Sequence, residues 1–284
     1  MNNLDLTVII VSWRVKDLLK NCLSSIYTNT TNINFEVIVV DNASCDGSVE
    51  MVIGYFPQVK LISNLRNRGF ARANNQAIGQ ARGRQLLLLN PDTIIVDNAL
   101  ADMVSFMDRH PEVGVAGCRI LNPDKTWQPS VRKFPTLLDH LMMMFKLHHF
   151  FQLKDYRQLE FDEHKEQEVD QVMGAFFMIN SNVVKRVGHF DEGYLNWFEE
   201  VDFCWRAKKA GLKVVYTPQA EIIHWRGQSF RQLYRTHGQW IFCRSRLRYI
   251  RKNQGTLAFL IILFLTPFSL LFSLLFSIIS PKNV

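Results

Sequence analysis

From Leu6 to Ile120 the chain alternates short, apolar runs with segments of helical spacing, and no other feature restricts its fold as much. The apolar runs are Leu6–Val11, Phe35–Val40, Val59–Ser63, Gln85–Leu89 and Val113–Ile120. Between them lie Lys16–Tyr27, Ser48–Phe56, Phe70–Ala81 and Ala99–His110, and the first of these carries Leu18, Leu19, Cys22, Leu23 and Ile26 at helical intervals. Strands apolar at nearly every position are buried on both faces. That implies an α/β fold with a mostly parallel sheet flanked by helices. After Asn122 the pattern changes. Leu137–Phe151 is rich in Met and Phe, and Asp155–Asp170 is polar and reads as a mobile loop. Val172–Ile179 reads as a strand, Glu199–Ala210 as a helix stopped by Gly211, and Val214–Tyr216 and Ala220–His224 as short strands. Residues 1–228 therefore form one expected domain, with no internal repeat.

Charge divides the chain differently. The 284 residues carry a net +7, yet residues 1–221 hold 24 basic and 26 acidic residues. Residues 222–284 hold nine basic residues and no acid. The basic surplus belongs to the tail, which argues against nucleic acid as a partner and for an anionic membrane. Residues 229–255 read as a basic amphipathic segment on that surface, with Arg231, Arg235, Arg244, Arg246, Arg248, Arg251 and Lys252 among Leu233, Trp240, Ile241, Leu247 and Ile250. Residues 256–280 are uncharged over 25 positions, long enough for a membrane span. Pro267 leaves two forms open, a kinked span or a helical hairpin within one leaflet; a buried core helix is the bland alternative. Cations cluster before this run and only Lys282 follows it, so the positive-inside rule places the large domain in the cytosol. Ser269, Ser273 and Ser277 make a small polar stripe that suits helix pairing into a homo-oligomer, or is ordinary serine tolerance. No signal peptide is expected from Leu6–Trp13, and five scattered cysteines without a CxxC pair fit a reducing compartment.

Ligands of open parallel sheets bind beyond the carboxyl ends of the strands. The residues just past the apolar runs are Ser12-Trp13-Arg14, Asp41-Asn42-Ala43-Ser44, Asn90-Pro91-Asp92, Gly174-Ala175 and His224-Trp225. Polar groups thus converge on one rim. Asp46 and Gly47 read as a cap and helix opening.

The stretches VIIVSW, VIVVDNASCDGSVEMV, NLRNRGFARANNQAI, LLLLNPDT, VMGAFFMI, GHFDEGYLNWFEEVDFCWRAKKAG and HWRG closely resemble glycosyltransferase family 2, in order over residues 5–228. Within that family the chain looks most like bacterial dTDP-rhamnosyltransferases, a likeness that QPSVRKFPT supports. The resemblance implies a GT-A fold and an inverting transfer of a sugar, L-rhamnose from dTDP-L-rhamnose, onto a lipid-linked or cell-surface glycan precursor. Other UDP- or dTDP-hexoses are the alternative donors, and a catalytically silent membrane scaffold or a nucleotidyltransferase the rival classes. VSWRVKD lacks the glycine-rich loop of the latter. The location implied is the cytosolic face of a bacterial inner membrane.

The resemblance also assigns residues. Asp41 would accept the base N3–H, unless it is only a turn or cap carboxylate. Ser12, Arg68, Gly69, Asn74, Asn90, Gly174 and Trp197 would surround nucleotide and sugar. Glu200 matches the catalytic base, since the acceptor hydroxyl must lose a proton, with Glu199 and Asp202 as support. The alternative is favourable placement of acids at a helix N-terminus. Asp92 and His224 would hold Mg²⁺ or Mn²⁺ at the diphosphate. Asn90 stands where many relatives carry Asp, which puts two-carboxylate chelation in doubt, and His224 is as readily structural as a ligand.

Overall fold

The chain continues each apolar run into a strand and each amphipathic segment into a helix. In order these are β1 (Leu6–Ser12), α1 (Lys16–Asn29), β2 (Phe35–Asp41), α2 (Ser48–Tyr55), β3 (Lys60–Ser63), α3 (Phe70–Ile78), β4 (Gln85–Leu89), β5 (Thr93–Ile95), α4 (Ala99–Arg109) and β6 (Val113–Leu121). The second half adds β7 (Val131–Arg132), α5 (Leu137–Met144), β8 (Gln167–Glu168), β9 (Gln171–Val172), β10 (Phe176–Asn180), α6 (Ser181–Val187), α7 (Glu199–Lys209), β11 (Lys213–His224), α8 (Arg235–Asn253) and α9 (Thr256–Ile279). This computed structural model describes residues 4–145, 147, 161–227 and 235–279, with side chains of the last two helices from Gly238 to Phe272.

The main sheet runs β3-β2-β1-β4-β10-β6-β11-β5, with β8 on β11. Strands β1 to β4 are mutually parallel, as are β6 and β11; β10, β5 and β8 are antiparallel to their neighbours. The chain leaves β1 toward β2 on one side and returns as β4 on the other, so the switch point lies between β1 and β4. Alternate residues serve opposite cores. Val8, Ile10, Val37, Leu87, Phe176 and Met178 pack with Leu19, Leu23, Leu100 and Phe106. Ile9, Ile38, Leu88, Phe177 and Ile179 pack with Ala77, Val183, Phe203 and Ala207 on the other face. Burying a Leu, Ile or Phe side chain contributes about 1.5–3 kcal/mol, so both layers hold the sheet.

Three expectations change in the second half. The run Val172–Ile179 is two strands, interrupted at residues 173–175. Conversely Val214–Tyr216 and Ala220–His224 are one strand, β11, whose ladder on β6 jumps between Thr217 and Glu221. Pro218 lies in that jump and has no N–H to give the ladder. The acidic loop is held from Phe161 onward: the Phe161 ring packs edge-on to Tyr216 at 4.8 Å, and β8 pairs with β11. Asp155–Glu160 lie outside the described residues, as do His148 and His149.

The C-terminal helices fold back onto the domain. Tyr249, Ile250, Ala258 and Ile262 form a cluster with Met144, Tyr194, Phe198 and Val201. Arg248 and Lys252 pair with Asp191 at 2.7 and 3.1 Å, and Lys252 also reaches Asp202 at 2.8 Å. Burial opposes ionisation of Asp191, but Arg248, the Gly193 N–H and Lys252 hold its carboxyl down to about 2. Arg246 is buried beside Phe242. Three cations assigned to a membrane surface are therefore turned to protein instead. Charge periodicity did not reveal this for Arg248 and Lys252, because their partners lie about 50 or more residues away in sequence. Arg231 and Leu233 lie outside the described residues.

Among the described residues no helix is long and apolar enough to cross a membrane. The run expected to span, residues 256–280, is helix α9 as far as Ile279, with Pro267 inside it and Ala258, Ile262 and Ser269 buried. The Ser269 hydroxyl donates to Thr266 O at 2.9 Å, so it is satisfied within its own helix. The Ser273, Ser277 and Ser280 side chains lie outside the described residues.

Candidate active site

The site occupies the rim beyond β1, β2, β4 and β11. Ser12 and Asp41 end adjacent parallel strands and stand in register. Both are buried. One Asp41 oxygen accepts the Ser44 N–H at 3.1 Å, which is the turn role weighed above. Its other oxygen, Oδ1, has no partner, and neither has the Ser12 hydroxyl. Asp46 is a cap, accepting Ser48 N–H at 3.0 Å and Ser48 O–H at 2.6 Å.

Asn42 ties this end to the next loop. Its amide donates to Gly69 O at 3.3 Å and its carbonyl accepts from Asn64 at 3.0 Å. Gly69 has φ +81°, and a Cβ there would lie 2.6 Å from Leu195 O. Phe70 N–H donates to that same carbonyl at 3.0 Å. Only glycine lets the turn before α3 dock on the loop before α7. Asn74 follows, buried, with its amide on Phe70 O and Oδ1 unpartnered. The Arg68 side chain is exposed. Gly69→Ala should lower stability by about 1–3 kcal/mol through the strained φ and the backbone collision. It should also raise the donor KM. Melting and donor titration would check this, and unchanged values for both would refute the docking role.

Asn90, Asp92 and His224 converge from β4, the following turn and β11. The His224 ring Nε2 lies 3.3 Å from Asp92 Oδ1 and 3.4 Å from Asn90 Nδ2. His224 Nδ1 lies 2.7 Å from Gln128 Oε1. The Gln128 amide nitrogen already donates to Asn122 Oδ1 at 2.8 Å and His224 O at 3.2 Å. Its oxygen therefore faces the ring and fixes Nδ1–H as donor. Nε2 then turns its lone pair toward the Asp92 carboxylate. Two such atoms facing each other repel unless a proton or a metal ion lies between them. Cis ligands of one ion with bonds of about 2.1 Å are about 3 Å apart, so the pair fits a divalent metal. Among the described residues no group of three His, Cys, Asp or Glu gathers, so other ligands would come from the donor diphosphate or water. Gln128 is the residue that sequence reasoning missed. It lies inside the QPSVRKFPT stretch, but nothing local marks it as a partner of residue 224.

The acids at the start of α7 separate into two groups. Trp197 and Phe198 both have left-handed φ, +62° and +69°, unusual for bulky residues and a form of strain found at functional sites. This turn presents Glu199 and Glu200, each with an unpartnered buried Oε2. Burial and then the Glu200 charge push the Glu199 carboxyl well above its usual range. Burial also raises Glu200, opposed by its own backbone N–H and by Arg132. The Glu200 charge thus favours the protonated form of Glu199, and Arg132 favours the ionised form of Glu200. Gly174 lies beside it; a Cβ there would come within 4.0 Å of Glu200 Cβ. Asn90 N–H donates to Ala175 O at 3.0 Å, joining this wall to the Asp92 cluster. Asp202 is elsewhere. It is fully buried against Arg206 at 2.8 Å, Lys252 and Asn253, where it anchors α8.

Ser12, Asp41, Asn74, Glu199 and Glu200 thus carry orphaned buried polar atoms. Native interiors rarely leave such atoms unpaired, so these five, which the fold brings to the strand-end rim, are groups a ligand can satisfy.

Comparison with known proteins agrees with this geometry. The family model "Glycosyl transferase family 2" matches residues 7–188. The N-acetylglucosaminyl-diphospho-decaprenol L-rhamnosyltransferase of Mycobacterium tuberculosis is 29% identical over 79% of this chain and 77% of its own length. The rhamnosyltransferase WbbL of Escherichia coli K12 is 24% identical over 87% of this chain and 93% of its own. Among solved structures, the mannosyltransferase PcManGT of Pyrobaculum calidifontis, in complex with GDP-Man and Mn²⁺, aligns at TM-score 0.57 and 18% identity. The alignment covers 100% of this chain and 77% of that one. GalNAc-T7 with UDP, GalNAc and Mn²⁺ aligns at TM-score 0.59 and 15% identity over 80% of this chain, which spans only 45% of its length. These likenesses establish a GT-A-like fold. The chain belongs to glycosyl transferase family 2 and is a glycosyltransferase.

Proposed function

We propose that this enzyme transfers L-rhamnose from dTDP-L-rhamnose to a hydroxyl of a lipid-linked glycan precursor, with inversion, at the cytosolic face of a bacterial inner membrane. The observation that carries the donor assignment is the similarity to two rhamnosyltransferases along 79% and 87% of the chain. One of them acts, by its name, on a diphospho-decaprenol acceptor.

The residues divide the chemistry as follows. Asp41 accepts the thymine N3–H through its free Oδ1. Asp92 and His224 would hold a divalent cation, Mg²⁺ or Mn²⁺, whose charge compensates the diphosphate leaving group. Glu200 takes the acceptor proton as the acceptor oxygen bonds to the anomeric carbon. The bond from that carbon to the diphosphate breaks on the opposite side, and dTDP leaves with the electron pair. From a β-linked donor the product is an α-L-rhamnoside. Burial and the Glu200 charge favour the protonated form of Glu199, in which it adds no second negative charge beside the base.

Incubation of the full chain with dTDP-L-rhamnose, a polyprenyl-diphosphate sugar and Mn²⁺ tests the reading. Rhamnosylated lipid is the expected product. Turnover with UDP- or GDP-sugars but not dTDP-rhamnose would overturn the donor assignment in favour of the donors seen with the structural neighbours. Turnover with none would overturn the transfer itself.

A further inference from the structure

The last helix is covered on one side only. Ala258, Ile262 and Ser269 are buried, whereas Leu257, Leu260, Phe264, Phe268 and Leu271 stand exposed. Those five recur at intervals of three and four and so form a single stripe. Exposed apolar stripes of this extent mark a surface that another apolar phase covers. Two features beside it fit a lipid headgroup layer. Trp240 is exposed with the Arg244 guanidinium 5.4 Å from its ring, and Arg251 lies 5.7 Å from the Phe259 ring. Arg244 and Arg251 are both exposed, and residues 222–284 contain no Asp or Glu. A second copy docking here would bring like charges together, whereas an anionic bilayer is attracted.

We propose that α9 lies in the plane of an anionic bilayer, its outer stripe in the acyl region of one leaflet and Trp240, Arg244 and Arg251 among the headgroups. The inference rests on the membrane reading above and changes its geometry. A spanning helix needs about 20 residues with lipid around them. The inner face of α9 is already occupied by protein from Ala258 to Ser269. The same helix packs on α5 and on α8, which in turn holds Asn196 O through Ser245 at 2.8 Å. Docking therefore brings the mouth beside Trp197 close to the membrane surface, where a lipid-linked acceptor is presented.

The test uses the full chain and vesicles of phosphatidylglycerol with phosphatidylcholine. Cosedimentation is expected with these and should fall at least tenfold for Leu260→Glu/Phe264→Glu/Phe268→Glu, with the melting temperature retained. The milder Phe264→Ser/Phe268→Ser variant should fall several-fold and guards against misfolding. Protease added outside the vesicles should remove a C-terminal epitope, because an in-plane helix leaves both ends on one side. Undiminished binding by the variants, or an epitope protected in the lumen, overturns the proposal. So does a lipid-free dimer that the triple variant converts to monomer. Transfer to a water-soluble acceptor analogue should survive in these variants, so its loss in the wild type would count against the transferase reading rather than against the docking.

Discussion

Glu200→Gln is expected to lower kcat by about 10²–10⁴-fold while the donor KM changes little. The amide keeps the shape and one hydrogen-bonding oxygen but cannot accept a proton from the acceptor. Glu199→Gln is the contrasting change. It replaces a carboxyl that burial and the Glu200 charge already favour in its protonated form, so kcat should stay within about tenfold at neutral pH. Stability separates the two roles further. A buried acid whose folded pKa is raised binds its proton more tightly in the fold than in the unfolded chain. Its stability contribution is complete below its ordinary value of 4.5 and is lost as pH rises through the raised one. Glu199→Gln should therefore melt higher than the wild type at pH 8, and the gain should vanish at pH 4. Activity runs the other way. Glu200 must be ionised, so the wild-type rate should fall on acidification at a pH above that of an ordinary glutamate. Equal losses of kcat in both variants would remove the distinction between base and neighbour.

How much of this was legible follows from what each feature depends on. Strands β1, β2 and β4 were readable because burial on both faces makes them apolar at nearly every position. The rim residues followed, since Ser12, Asp41 and Asn90 simply come next in the chain. The meeting of Asp92 with His224, 132 positions later, rested on family resemblance; no local period encodes it. Asp202 could not be separated from Glu199 and Glu200 by sequence, because what distinguishes it is Lys252 and Asn253 on a distant helix. The tail is ambiguous in sequence for a related reason. Hydropathy reports that Thr256–Ser280 avoids water, but not whether lipid or protein covers each face. Ala258, Ile262 and Ser269 look the same against either, and only the fold shows them buried against the domain.

Gln128→Leu is expected to weaken Mn²⁺-supported donor binding by about 10–100-fold although residue 128 would touch neither metal nor donor. The argument runs through the ring it orients. Gln128 Oε1 accepts from His224 Nδ1 at 2.7 Å and is itself locked by its amide bonds to Asn122 and the His224 carbonyl. Without that acceptor, the proton can move to Nε2, where Asp92 Oδ1 waits 3.3 Å away. The two would-be ligands then hydrogen-bond to each other and the ion must compete with that bond. His224→Ala and Asp92→Asn should cost more than Gln128→Leu, since each removes a ligand outright. A chelator should abolish transfer by the wild type, with Mn²⁺ restoring it. Calorimetric titration of dTDP with and without Mn²⁺ provides the measurement, and ring ¹⁵N shifts of His224 report the tautomer independently of activity. Wild-type Mn²⁺ affinity in Gln128→Leu would show that the ring needs no orienting partner. Chelator-resistant transfer would reduce Asp92 and His224 to a structural pair, and the diphosphate would then have to be answered by cationic side chains, with Arg68 on the turn before α3 the first to replace.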